Sequence, residues 1–393
     1  MVTIAREKAG GRQARIATSI AFLLMGTCYG LWFVHIPVVT ARLGLEPAML
    51  GLALLCAGLG AVIAQPISGL VVSRMGSRPT TTAFLPALII AFTLPILAPS
   101  VPLLFAGIFL LGLGGGALNV AINTQGTEIE AMRGKPTLSS FHGCFSLGTL
   151  VGSLIFPLLV SRGLGNGSGA AIVAVVMLVV AAIVAFGFPP SQVQAAPEEK
   201  GASFALPTGA VLGIAILTFI ANGLEGSVND WSSLYLHTIR GLSESSAATG
   251  FAIFAAVMVA MRLFGGPLVT WVGTRGILLY GGLFAAAGML IVVFAPWPLL
   301  SAAGFGLVAV GLANTMPVLF SIAARTPGAP PSVNVAAVAT TALVGFLVGP
   351  PAIGFTAQYL GLGTAIGLLS IAALIIAAAG GLFRRLASEP APA

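Results

Sequence analysis

The sequence predicts an all-α membrane protein, with twelve transmembrane helices arranged as two pseudo-symmetric six-helix bundles. Three observations carry this expectation. Only 7% of the 393 residues are charged and 58% are hydrophobic, whereas soluble domains carry roughly 25% charge. So little charge cannot cover the surface of a water-soluble protein of this size. Apolar runs of about 20 residues, the length that crosses a bilayer, recur along the whole chain. A pattern of glycine and arginine that begins at Gly69 returns at Gly266, the mark of a duplicated unit.

The first six runs lie at approximately 16–39, 48–73, 79–98, 101–125, 138–161 and 168–188. The first has no convincing cleavage site after it, so it is expected to remain as a helix and not to be a signal peptide. A polar stretch from Pro190 to Lys200 follows, then six more runs at approximately 209–236, 245–270, 275–296, 298–323, 332–357 and 361–383. The expected domains are an N-terminal bundle at 1–189, a cytoplasmic linker at 190–206 and a C-terminal bundle at 207–393.

Charge fixes the expected orientation. With the N-terminus inside, the inner segments hold thirteen of the 17 basic residues: Arg6, Lys8, Arg12, Arg15, Arg74, Arg78, Arg133, Lys135, Lys200, Arg275, Arg325, Arg384 and Arg385. The outer loops hold Arg42, Arg162 and Arg240, and Arg262 lies within a span. This bias places both termini in the cytoplasm of a cell with the protein in its inner membrane. The net charge of +7 therefore reads as topology control and not as a nucleic-acid surface. Cys28, Cys56 and Cys144 sit in or beside apolar runs without metal-type spacing, so they read as small packing residues.

The halves align at an offset of 197: Gly69, Gly76 and Arg78 fall on Gly266, Gly273 and Arg275, and Gly148 and Gly152 fall on Gly345 and Gly349. Near it, Gly116-x-x-Asn119 resembles Gly311-x-x-Asn314 at an offset of 195. Two six-helix halves in parallel repeat, joined by a polar linker, is the plan of transporters that rock around a central site.

With these residues the chain resembles the major facilitator superfamily. That family's loop motif between its second and third helices is Gly-x-x-x-Asp-Arg/Lys-x-Gly-Arg/Lys-Arg/Lys. Gly69, Arg74, Gly76 and Arg78 match it, while Ser73 stands at the acid position and Ser77 at a basic one. The second copy has Thr270 at the acid position. The resemblance implies that the acid helps to lock an outward-open state through charge pairs, and here hydroxyl hydrogen bonds are the expected weak substitute. Within the superfamily the likeness runs to the fucose-permease-like branch and its uncharacterised bacterial relatives. It is carried by the run Asn119 to Glu128, by Ser140-Phe141-His142 and by the run Glu225 to Ser232. The helix-5 signature of drug antiporters is absent: Gly148 and Gly152 are present but Pro157 comes too late, and a partial version, Gly345-x-x-x-Gly349-Pro350, lies in the eleventh run.

The candidate residues centre on Glu225. The 197 offset places the first run onto 213–236, which puts this acid near mid-span. A charge there costs about 2.5–3.5 kcal/mol on insertion scales, so it is a functional candidate by default. Asn222, Glu225 and Asn229 share a helical face, and Gly223 and Gly226 beside the acid are expected to permit local unwinding. Glu225 is assigned to substrate binding and proton coupling, with a structural acid neutralised by Arg262 as the plain alternative. Asp230 lies nearer the outer interface and is placed as a gate residue or a solvated helix-end charge. On the first run Tyr29 and Trp32 offer stacking faces with polar handles, and His35 is placed at the water-exposed outer end. Asn119 and Asn123 form a stripe with Glu130 on the fourth run, with Gln125 a weaker candidate for substrate contact. Gly112, Gly114, Gly115 and Gly116 most simply permit close packing. Asn314 is read as the counterpart of Asn119. Arg74, Arg78, Glu128, His142, Arg262 and Arg275 complete the candidate gates.

The expected function is secondary transport of a small polar organic solute, sugar-like or similar, by alternating access with proton coupling. Expected partners are the solute, protons and the lipid bilayer, with the chain acting as a monomer and with no cofactor, metal or nucleic acid. A proton-linked drug or metabolite exporter is the alternative. A membrane-embedded enzyme is more remote, because the three histidines are scattered and no acid pair suggests catalysis. No Gly-x-x-x-x-Gly-Lys-Ser/Thr loop occurs to bind ATP, and no soluble signalling domain suggests a sensor.

Overall fold

The computed structural model describes residues 2–134, 137–190, 207, 209–327 and 329–382. Linker residues 191–206, together with Lys135, Lys200, Arg384 and Arg385, lie outside the described residues. Among the described residues all regular structure is helical, the outcome expected where lipid leaves every backbone group to be satisfied within its own segment. Twelve helices among the described residues are long and apolar enough to cross a membrane.

Two compact units emerge, residues 1–45 with 52–198, and residues 46–51 with 199–393. The first contains α1 (Val2–Leu43), most of α2 (Pro47–Met75), α3 (Ser77–Ala91), α4 (Thr93–Leu97), α5 (Val101–Arg133), α6 (Leu138–Ser161) and α7 (Asn166–Ala185). The second contains α8 (Ala210–Thr238), α9 (Glu244–Leu263), α10 (Gly265–Phe294), α11 (Pro298–Leu312), α12 (Thr315–Arg325), α13 (Pro331–Leu360) and α14 (Leu362–Leu382). The pairs α3–α4 and α11–α12 each make one span. Their breaks have a cause: Pro95 and Pro317 cannot donate to the carbonyls of Ala91 and Ala313. The eighth run is shorter than its expected 245–270. It ends at Leu263, and the residues after it form the first turns of α10, which bends at Gly273.

Glycines set the central helix crossings. In the first unit a Cβ on Gly26 or Gly30 of α1 would strike the backbone of Phe145 or Thr149 on α6. A Cβ on Gly148 or Gly152 would strike α1 at Leu23 or Thr27. In the second unit Gly345 and Gly349 of α13 abut Phe219 and Gly223 of α8 in the same manner. Lipid tails are as apolar as leucine, so close van der Waals approach is the main attraction between spans, and small residues permit it.

The loops repeat as well. Gly76 (φ 87°, ψ 166°) and Gly273 (φ 75°, ψ 160°) adopt one backbone conformation at the offset of 197. It lies in a region open to glycine and closed to L side chains. Gly44 and Gly241, and Gly163 and Gly361, are also pairs with positive φ, at offsets of 197 and 198.

Candidate functional site

In the second unit α8 is one continuous helix through Gly223 and Gly226, so the expected local unwinding does not occur. These glycines serve packing instead. A Cβ on Gly226 would meet the Phe346 ring at 3.0 Å, and one on Gly223 the Gly345 carbonyl at 3.2 Å. Asn222 donates its amide to the Ala342 carbonyl at 2.7 Å, and Trp231 its indole N–H to that of Pro350 at 3.2 Å. Together these contacts fix the rotation of α8 against α13.

Glu225 therefore points away from α13 toward α9. One Arg262 nitrogen, Nη2, donates to both carboxylate oxygens, at 3.0 and 3.3 Å. The two side chains are 18% and 35% exposed, so the pair is neither sealed in protein nor fully hydrated. Asn229, one turn further, is half-buried, and its amide has no hydrogen-bond partner among the described residues. The arrangement presents a carboxylate, a guanidinium and a free amide along one accessible stripe.

Asp230 and His35 correct their expected surroundings. Asp230 is 5% exposed and His35 only 1%, so neither is a solvated helix-end group. His35 directs Nδ1 at the Leu31 carbonyl at 2.7 Å and packs on the Phe156 ring with centroids 4.4 Å apart. The distance of each residue from its helix end suggested the rim, but α8 stays buried through Leu236 and α1 through Val39.

In the first unit Trp32 is 2% exposed and packs in the core. Tyr29 is half-buried, with its ring near those of Phe33 and Phe145. Its hydroxyl occupies the space a Cβ on Gly115 would need. Gly112 and Gly116 admit the backbone of α2 at Ala57 and Ala61, so one glycine of the run serves Tyr29 and two serve packing. Asn123 donates to the Asn119 carbonyl at 2.7 Å and to its side-chain oxygen at 3.0 Å. The two amides form a half-buried pair on α5. Gln125 accepts a long hydrogen bond from Thr18 at 3.4 Å, and its buried amide nitrogen has no partner among the described residues.

At the end of the units carrying the loop motif, both hydroxyls at the acid position turn onto their own helices. Ser73 bonds the Leu70 carbonyl and Thr270 that of Gly266, so neither substitutes for the missing acid in the way expected. The bond across helices comes from Ser77, which donates to Glu128 at 2.6 Å. Glu130 accepts the backbone N–H groups of Thr137 and Leu138 at 2.7 and 2.9 Å, capping the start of α6. His142 lies edge-on to Phe22. Arg74 is exposed and Arg78 half-buried, while Arg275 donates to the Gly380 carbonyl at 3.1 Å.

Asn314 sits at the break between α11 and α12, on a cavity of about 580 Å³ between α9, α10 and α11. Its amide donates to the Met261 carbonyl, and its oxygen fills the place of a Cβ on Gly265. In the first unit Ser68 donates to the Ala117 carbonyl. These two contacts superpose at 197, so the counterpart of Asn314 is Ala117 and not Asn119.

Sequence reasoning missed one pair. Arg42 donates to the Ala98 carbonyl, while Arg240 donates to the carbonyls of Val292 and Val293 and to Ser301. Each arginine ties the end of the first helix of its unit to the end of the third. Their offset of 198 was the available signal.

The sequence pattern of the Major Facilitator Superfamily matches residues 18–343. An uncharacterised transporter of this superfamily from Yersinia pestis is 34% identical over 370 residues, covering 94% of this chain and 95% of the relative. The membrane protein MosC of Rhizobium meliloti is 29% identical over 384 residues, covering 96% and 92%. Among solved structures, the nucleoside transporter NupG shares the fold with a TM-score of 0.74 at 13% identity, over 95% of this chain and 99% of that one. A bacterial homologue of the human lysosomal transporter Spinster does so with a TM-score of 0.73 at 16% identity, over 98% and 99%. The chain belongs to the major facilitator superfamily: it is a multi-pass membrane transporter of small molecules and not an enzyme.

Proposed function

We propose that the protein moves a small polar organic solute, sugar-like or of similar polarity, by alternating access coupled to protons. The observation that carries this reading is the partly exposed Glu225–Arg262 pair, which joins the middle of α8 to the last turn of α9, with the free amide of Asn229 one turn along. A carboxylate midway along a spanning helix is costly unless it is used. A solute hydroxyl or carbonyl competes for Arg262, and a proton competes for Glu225, so occupation of either releases the other. Within the first unit, Tyr29 and the Asn119–Asn123 pair are the candidates for substrate contact, a stacking face and two amides. Glu128, His142, Arg74, Arg78, Arg262 and Arg275 act as gates in this reading, and Asn222 and Asn314 hold their helices in register. Both termini lie in the cytoplasm of a monomer in the inner membrane, supported by the thirteen basic residues on that side.

A thermal-shift screen of sugars, polyols, nucleosides, amino acids and organic acids identifies the solute. Proteoliposomes carrying Glu225→Gln then test the coupling. Solute-driven proton flux is expected to vanish while solute counterflow persists. Unchanged proton flux removes Glu225 from the coupling step.

A further inference from the structure

Glu225 has a cation, and among the described residues Asp230 has none. Five residues along an α-helix turn the chain by about 140°, so the two acids face different neighbours. Asp230 lies on the stripe of Gly223, Gly226 and Ser227, the stripe that packs on α13. It is 5% exposed, and among the described residues no ion pair or hydrogen bond reaches its carboxyl.

The surrounding charges are few. Within α8 the titratable groups are Glu225, Asp230, Tyr235 and His237. Tyr235 donates to the Val292 carbonyl, and His237 is bonded to that of Leu242. Of the helices packed against α8, α9 brings Glu244 and Arg262, and Arg262 is spent on Glu225. Helix α12 brings Arg325, bonded to Ser321; α13 brings only Tyr359; α11 and α14 bring nothing titratable. A carboxylate buried without a cation or donor costs several kcal/mol, and a neutral carboxyl avoids that cost.

Opposite this stripe lies the proline pair of α13. Pro350 and Pro351 have no N–H, so the carbonyls of Phe346 and Leu347 lose their usual donors. The Phe346 carbonyl lies 3.5 Å from the Cβ position of Gly226, one turn before Asp230. Among the described residues the buried hydroxyls of Ser232 and Ser233, two and three residues after Asp230, also lack a partner.

We propose that Asp230 is a resident proton-binding site: its carboxyl is neutral in this conformation, on the stripe of α8 that packs against α13, where the proline pair leaves carbonyls open. Loss of the proton turns it into an acceptor, with the idle hydroxyls of Ser232 and Ser233 next along α8, and loosens the seam between α8 and α13. The site stands apart from Glu225, which exchanges Arg262 for a proton. Only its use in the transport cycle rests on the proposed function.

The test is infrared difference spectroscopy of the purified full chain through a pH titration. The carbonyl stretch of a protonated carboxylic acid is expected in the wild type near neutral pH, retained in Glu225→Gln and lost in Asp230→Asn. By linkage, a group that is neutral only when folded adds stability that declines as pH rises. The wild type is therefore expected to lose Tm on transfer to alkaline buffer, while Asp230→Asn, neutral at every pH, stays level. If Asp230→Asn fails to fold, Asp230→Ser replaces it in both measurements. A band that survives substitution of Asp230, a band displaced by sodium at fixed pH, or an equal alkaline loss in the variant overturns the proposal. A band that depends on Asp230 in a protein showing no solute-driven proton flux leaves the site standing and overturns the coupling.

Discussion

The first unit crosses α1 and α6 on four glycines, Gly26, Gly30, Gly148 and Gly152; the second crosses α8 and α13 on Gly223, Gly345 and Gly349, with Ser227 at the place of Gly30. The crossing in the first unit is tighter, since a Cβ on Gly26 would overlap the Phe145 carbonyl while one on Gly223 would meet nothing nearer than 3.2 Å. Where the first unit has Cys28, Phe33 and Gln65, the second has Glu225, Asp230 and Arg262. The duplicated chain has thus kept its crossings and loops while the chemistry at the same positions diverged. One unit holds aromatic and amide surfaces, and the other holds charge. A scaffold built on backbone contact leaves the side chains beside it free to change.

Substitutions can break this comparison. The largest effect is expected at the crossings. Gly26→Ala is expected to lower stability by about 2–3 kcal/mol, because overpacking a tight contact moves backbone. Gly223→Ala is expected to cost about 1 kcal/mol or less, because the Gly345 carbonyl needs to give by only a few tenths of an ångström. Thermal unfolding of the two variants checks the order, and equal losses would mean that the crossings are equally tight. Next comes Arg240→Ala, which releases three acceptors including two main-chain carbonyls and is expected to cost about 2 kcal/mol. Arg42→Ala releases one acceptor, and about 1 kcal/mol is expected there from the same reasoning.

Below the Gly26 and Arg240 effects, and equal in the two units, is the effect at the loops. Gly76→Ala and Gly273→Ala each force an alanine into a glycine conformation, at about 1–2 kcal/mol apiece. Unequal Tm losses would show that the two copies of the loop have separated in role. The smallest stability effect is expected at the pair that matters most for transport. A double-mutant cycle on Glu225→Gln and Arg262→Gln should give a coupling of about 1 kcal/mol or less, as accessible pairs do. A much larger coupling would make the pair a structural rivet and remove it from the transport step.

The helix plan was legible because spanning length and apolar composition are local properties. The duplication was legible because Gly76 and Gly273 sit where only glycine fits, and that constraint survives in the residue type. The surroundings of Asp230 and His35 were not legible, since burial depends on how far neighbouring helices reach. Ser77 and Glu128 were both in view, but no spacing rule joins residues 51 positions apart. Asn314 was matched to Asn119 by residue type alone; the contact it makes matches Ser68 with Ala117, and only coordinates carry that information. Arg42 and Arg240 escaped notice because each caps main-chain carbonyls, which have no residue signature.

Trp231 has a consequence for optics. Of the four tryptophans, Trp32 and Trp231 are buried, at 2% and 0% exposed, while Trp271 and Trp297 are open, at 86% and 68%. The Trp231 indole is bonded to the Pro350 carbonyl, and it adjoins Asp230 in the chain. With Trp32, Trp271 and Trp297 replaced by phenylalanine, the remaining indole would be a native fluorophore within the seam between α8 and α13. Its emission would follow opening of that seam in real time, without an attached dye.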